Sequence, residues 1–355
     1  MEITLLEDPA CSWCWAFQPV ITTLEFEILD GAQKRPIRMR SVLGGLSDRP
    51  IMEGSFFIRQ WTQAAEISGM PFETGIWDRH LLRTSFEACR AAKAALGQGG
   101  GAVRRLLRRI REAYFTEQVP IDSRENLIEL ARTEGLDTEA MTEALASGRA
   151  GFLFERDRLE AAPYRFGFPT MLLRKHPNDT PVALHGMVPY ADILQLLLQM
   201  GLDPNDRRKF CDRPEDWDRL FSLHRRLAPA EVQMVTGLEG DALVEICARN
   251  GVEQEGAFLM RRTASSTPRA ESTTASIAKT IDGAIDDPLV DGLAEAEVGT
   301  EVGIAVEVEA CPQSCTEAME DTAASGLNTE PAEDEIPDSL PAAEALRQAA
   351  ETADS

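Results

Sequence analysis

Apolar residues near the N-terminus recur first at strand length and then at helical spacing. Ile3, Leu5 and the neighbouring Thr4 and Leu6 form a run too short for a helix, and Asp8-Pro9 stops it, so the pattern predicts a buried strand. Trp15, Phe17, Val20, Ile21 and Leu24 then follow the helical period to Leu29, with Gly31 as a C-terminal stop. Ile37 to Val42 alternates basic and apolar residues, which predicts a second strand ended by Gly44-Gly45. A strand–helix–strand opening implies a parallel pair with a right-handed crossover. From about Pro50 to Gly151 the periodicity is helical, over Phe56–Gly69 and Ser85–Leu96, and again beyond the break at Gly97–Gly101. Asp122 with Glu125 resembles a capping box, and Asp137-Thr138 opens a further helix. Thr170–Arg174, a turn at His176–Asp179 and Pro181–His185 predict an antiparallel hairpin, and Tyr190–Met200 an amphipathic helix closed by Gly201.

The chemistry lies at the first strand-to-helix turn, where Cys11-Ser12-Trp13-Cys14 places two thiols three positions apart. A thiol at a helix start faces unpaired backbone N–H groups and the positive end of the helix dipole, both of which favour the thiolate. Cys11 is therefore expected to be the nucleophile and Cys14, one turn on, the resolving thiol, which is the minimum for dithiol exchange. A zinc site would need two further ligands, and no second close Cys or His pair lies in the folded region, so no metal is expected. Cys89, Cys211 and Cys247 are expected to be structural thiols, while His176 and His185 are expected at the surface or in a capping role.

The stretch Asp8-Pro9-Ala10-Cys11-Ser12-Trp13-Cys14-Trp15 resembles the active-site opening of DsbA-like proteins of the thioredoxin superfamily, in their cytosolic FrnE branch. Pro19, five residues after Cys14, and Gly167-Phe168-Pro169-Thr170 before Met171-Leu172-Leu173 support the resemblance. It implies an α/β, thioredoxin-like fold over about 1–203 with a large helical insertion at about 50–160, a helix kinked at Pro19, and a cis Phe168–Pro169 bond opposite the dithiol. It also implies thiol-disulfide exchange by Cys11 and Cys14, with Trp13, Trp15, Phe168, Pro169 and Thr170 as substrate-binding residues. The acid that relatives bury six residues before the first cysteine is absent, since that position is Leu5; Glu7 or a water remains to take the proton of Cys14, and at least one of Glu7 and Asp8 is expected to face water. Similar families also include adaptors that deliver clients to an ATP-dependent protease, and glutathione-dependent isomerases, which place serine where Cys11 stands.

Composition changes the picture at the C-terminal end. Of the formal net charge of −23, residues 263–355 contribute −18, with 21 acidic residues against three basic ones. That stretch has no Phe, Trp or Tyr, so it is expected to be a disordered acidic tail, with Ile304–Val308 as a transient strand and Cys311 and Cys315 as incidental thiols. Residues 204–262 predict a small helical module resembling a helix-turn-helix, whose acidic second helix argues for a protein-interaction role rather than DNA binding. The acidic balance disfavours nucleic acid as a partner, and the five arginines at Arg104, Arg105, Arg108, Arg109 and Arg111 are expected on a solvated face paired with carboxylates. No run is long enough to span a membrane and no leader opens the chain, which predicts a cytoplasmic protein acting on protein or small-molecule disulfides. No cofactor is expected, with glutathione as the candidate co-substrate.

Overall fold

A computed structural model describes residues 1–29, 37–99, 101–164 and 167–262. The chain opens with strand β1 (Glu2–Glu7), helices α1 (Ser12–Ala16) and α2 (Gln18–Leu24), a π turn over Glu25–Leu29, and strand β2 (Arg38–Leu43). Pro19 has no N–H to give to the turn before it, so the helix breaks at Phe17 and α2 starts in a new direction with Pro19 in its first turn. β1 pairs with β2 in parallel and, on its other edge, antiparallel with β3 (Thr170–Arg174), which continues into β4 (Val182–His185). The sheet order is β2-β1-β3-β4. Ile3, Leu5, Met171 and Leu173 on one face of it pack against Phe17, Val20, Ile21 and Leu24, and against Ile193 and Leu197 of a helix after β4.

Between β2 and β3 lies the helical insertion: α3 (Ser55–Ser68), α4 (Phe86–Ala94), α5 (Ala102–Thr116), α6 (Arg124–Thr133), α7 (Thr138–Ala146) and α8 (Arg149–Ala161). Its core is aromatic, with Trp61 in edge contact with Trp77, Tyr114 and Phe115, and Trp15 stacked on Phe115 from the dithiol helix. Two expectations fail here. The cap of α6 is Ser123, whose side chain accepts the Asn126 N–H, while Asp122 accepts from Arg83 and pairs with His80. The arginines of α5 do not all face solvent: Arg108 and Arg111 are only 4% exposed, because buried carboxylates from β1 and from the C-terminal region meet them inside the protein. Lys93 and Asp157 form another buried pair, and Asp157 also accepts the Leu43 N–H, tying α8 to the end of β2. Directly after β2, Gly44 lies so close to the Phe168 ring that a methyl group there would stand 2.0 Å from Cζ.

After β4 come α9 (Tyr190–Gln199), α10 (Pro214–Leu223), α11 (Pro229–Thr236), α12 (Gly240–Arg249), and a hairpin of β5 (Val252–Glu255) and β6 (Phe258–Arg261). α10 begins at Pro214, since proline suits the first turn of a helix. The last three helices and the hairpin enclose a small core of Trp217, Leu220, Val232, Leu243 and Val252, into which the π turn inserts Phe26. Glu25, from the same π turn, is buried and pairs with Arg104 at 2.5 Å and His224 at 3.0 Å. Cys247 lies inside, whereas Cys211 is exposed rather than structural. The expected tail, with Ile304–Val308, Cys311 and Cys315, lies outside the described residues.

Two stability predictions follow from these contacts. Burial pushes the Glu25 carboxyl up, but the Arg104 charge and the His224 bond outweigh it and hold it at about 2, below its ordinary 4.5. The stabilisation is thus present above about pH 4.5 and lost as pH falls toward 2, an effect of about 3 kcal/mol by linkage. Denaturant titrations across that window should show a shallower acid dependence in Glu25→Gln than in the parent. Gly44→Ala should lower unfolding free energy by about 1–3 kcal/mol through overpacking against Phe168, read from the same denaturation curves.

Candidate functional site

The dithiol turn is held by Asp8. Its carboxylate is fully buried and accepts the N–H of Ala10 at 2.7 Å and of Leu46 at 2.7 Å, together with the Ser85 hydroxyl at 2.9 Å. The Cys89 thiol donates to the same carboxylate, so this cysteine belongs to the turn's support as well as to the core. Burial raises the Asp8 carboxyl above its ordinary value, and burial followed by the Asp8 charge raises the Cys89 thiol strongly. Neither Glu7 nor Asp8 faces water, contrary to expectation, because Arg111 of α5 meets Glu7 and the donors from three segments enclose Asp8.

Cys11 caps α1, and its sulfur accepts the Cys14 N–H at 3.4 Å. The Cys11 thiol also donates to the Phe168 carbonyl at 3.4 Å, across the cis Phe168–Pro169 bond. Both cysteines are buried, and no disulfide joins them. Leu46, Phe72, Phe168 and Met187 pack around them as a partly exposed apolar collar. Beneath lies the residue that sequence reasoning missed. Arg111 gives Nη2 to Glu7 at 2.6 Å and to the Asp8 carbonyl at 3.2 Å. Burial works against the Arg111 charge, yet Glu7 and then Cys14 and Cys11 hold its guanidinium above the ordinary value, so this buried cation and the two sulfurs share one electrostatic site. A strand that ends in two consecutive acids before an apolar turn needs an interior cation, and Arg111, one position after Ile110 on the apolar side of α5, was the available signal.

The remaining expected residues are placed unevenly. Phe168 lines the site, and Pro169 follows it across the cis bond with its carbonyl taken by the Gly186 N–H at 2.9 Å. Thr170 is turned inward, donating to the Gly167 carbonyl at 2.9 Å and meeting His185 Nδ1 at 3.1 Å. Trp13 is covered by α3, its Nε1 donating to Gln60 at 3.1 Å. Trp15 is not a contact surface: it is fully buried, donates to the Pro71 carbonyl, and carries the Arg108 guanidinium 4.5 Å above its ring. Leu46 and Met187 take its place around the sulfurs. His176 stays in its turn, its N–H given to Asp179. Among the described residues, no group of three or more His, Cys, Asp or Glu could hold a metal ion, and no helix is long and apolar enough to cross a membrane.

Over 253 residues the chain is 26% identical to the ClpXP adapter protein SpxH of Halalkalibacterium halodurans, covering 68% of this chain and 79% of that protein. The SpxH of Bacillus subtilis is 29% identical over 152 residues, 42% of this chain and 50% of that protein. Among solved structures, the cytosolic disulfide reductase DsbM from Pseudomonas aeruginosa is similar at 22% identity and a TM-score of 0.47, over 57% of this chain and 100% of that one. A family model described as Thioredoxin matches residues 5–193, more than half of the chain, and the chain belongs to that family.

Proposed function

We propose that the protein is a thiol-disulfide oxidoreductase in which Cys11 and Cys14 exchange disulfides with protein or low-molecular-weight thiols. The observation that carries this reading is the placement of both sulfurs at the start of α1, within the field of the buried Arg111. The Cys11 thiolate attacks one sulfur of a substrate disulfide, forming a mixed disulfide and releasing the other sulfur as a thiolate that takes a proton from solvent. The Cys14 thiolate then attacks the Cys11 sulfur and expels the first substrate sulfur as a thiolate, which takes a proton from solvent. Two electrons have passed to the substrate, and the Cys11–Cys14 disulfide is returned to the dithiol by an external thiol such as glutathione, which serves here as co-substrate rather than bound cofactor. The Glu7 carboxylate, salt-bridged to Arg111, is the base we assign to the proton of Cys14. Phe168, Leu46 and Met187 give the substrate an apolar footing, and the protein works in the cytoplasm.

A second reading is favoured by the SpxH relatives, described as ClpXP adapters, of which that of Halalkalibacterium halodurans matches over 68% of this chain. In that reading the same fold binds a protein partner and the thiols are dispensable. Cys11→Ser should abolish insulin reduction driven by dithiothreitol or glutathione, while Cys14→Ser should accumulate mixed disulfides visible by mass spectrometry. Parental turnover in Cys11→Ser, with partner binding intact in both variants, would decide for the adaptor.

Arg111 gives a separate prediction. Arg111→Met leaves Glu7 as an unpaired buried charge, an expected loss of about 3–5 kcal/mol in thermal or denaturant unfolding. It should also move the pH of half-maximal iodoacetamide alkylation upward, whereas Arg111→Lys should keep most of the parental profile.

A further inference from the structure

The C-terminal region reaches the back of the dithiol helix through one fully buried acid. Glu231, in the first turn of α11, accepts the Thr22 hydroxyl of α2 at 2.7 Å, the Ala228 N–H at 2.7 Å, and Arg108 Nη2 at 2.8 Å. Arg108 is the residue whose guanidinium lies over the Trp15 ring, next to Cys14 in sequence. Its Nη2 also gives to the Arg226 carbonyl at 3.4 Å and its Nε lies 3.7 Å from Glu112, but among the described residues Nε and Nη1 have no hydrogen-bond partner and Glu231 is the one carboxylate it bonds directly. Glu112 is itself shared with Arg226, which further leaves Glu231 as the chief compensation.

Arg108 and Arg111 stand three residues apart on α5, and both line a cavity of about 20 Å³, room for about one water, together with Glu7, Gln18, Glu25 and His224. One end of this lining is the Glu7–Arg111 pair under the sulfurs; the other is His224 from the C-terminal region. The charges facing Arg108 are thus Glu231 from α11, Glu112 from its own helix and Glu25 from the π turn, with Arg104 and Arg111 on either side. Inside a protein such charges are weakly screened, so a change in one is felt at its neighbours.

We propose that Glu231 is a positioning residue for the dithiol, by which residues 204–262 set the reactivity of Cys11 and Cys14: it neutralises Arg108 and holds it against Trp15 behind the sulfurs. The inference rests on the oxidoreductase reading and adds to it a reason for the C-terminal region to be packed against the family fold. Taking away the Glu231 charge leaves Arg108 uncompensated and makes the field at the sulfurs more positive. The thiolate is then favoured, the reduced dithiol is stabilised, and the protein becomes a stronger oxidant.

The test uses the full-length chain, with Cys11 alkylation measured against pH and dithiol–disulfide equilibrium measured in glutathione buffers. Glu231→Gln should lower the pH of half-maximal alkylation by about 0.5 unit and favour the reduced form about threefold. Glu231→Asp, which keeps the charge but withdraws it from Arg108, should shift both readings the same way by less, and serves if the Gln variant does not fold. Arg108→Met should shift both in the opposite direction. Parental values in the Gln variant, or in the Asp variant where only that one folds, would overturn the inference, as would shifts of one sign in both Glu231→Gln and Arg108→Met. If the parent chain itself shows no reversible dithiol–disulfide equilibrium, the oxidoreductase reading falls and this inference falls with it.

Discussion

Everything near the dithiol depends on a cation kept out of water. Arg111 is 4% exposed and Glu7 2%, and an ion pair at that depth persists only where geometry and further hydrogen bonds repay the loss of hydration. Here the carboxylate at 2.6 Å and the Asp8 carbonyl at 3.2 Å supply that repayment. The pair joins the end of the central strand to the longest helix of the insertion, so the scaffold and its electrostatics are one construction. A hydrophobic replacement would fill the space but would take the charge of Arg111 away from the two sulfurs.

Asp8 acts beside this pair by different means. Among the described residues no cation pairs with its carboxylate, which is held by the N–H groups of Ala10 and Leu46, the Ser85 hydroxyl and the Cys89 thiol. These donors come from the dithiol turn, from the loop after β2 and from the insertion, so one carboxylate registers three segments against each other. Burial of such a group is costly unless its bonds are made, and that cost is what makes the arrangement specific.

Much of this was legible in the sequence because it is local. The strand over Ile3–Leu6, the helix broken at Pro19, the cis bond before Pro169 and the hairpin after Thr170 were each announced by residues within a few positions of the feature. What was not legible is how distant segments meet. Arg108 and Arg111 look like two members of a solvated basic face until Glu231 and Glu7, each more than 100 positions away, are placed against them. Trp15 has the look of a surface aromatic beside an active site, and only the stack with Phe115 and the bond to Pro71 reveal it as core. Leu46 and Met187 gave no local sign of lying beside the sulfurs, since that depends on the course of two loops across the end of the sheet.

In the free protein the Cys11 thiol donates to the Phe168 carbonyl. Under the exchange chemistry proposed above, ionisation of Cys11 removes that hydrogen and leaves the oxygen open to another donor, so a single proton's departure both arms the sulfur and bares an acceptor beside it.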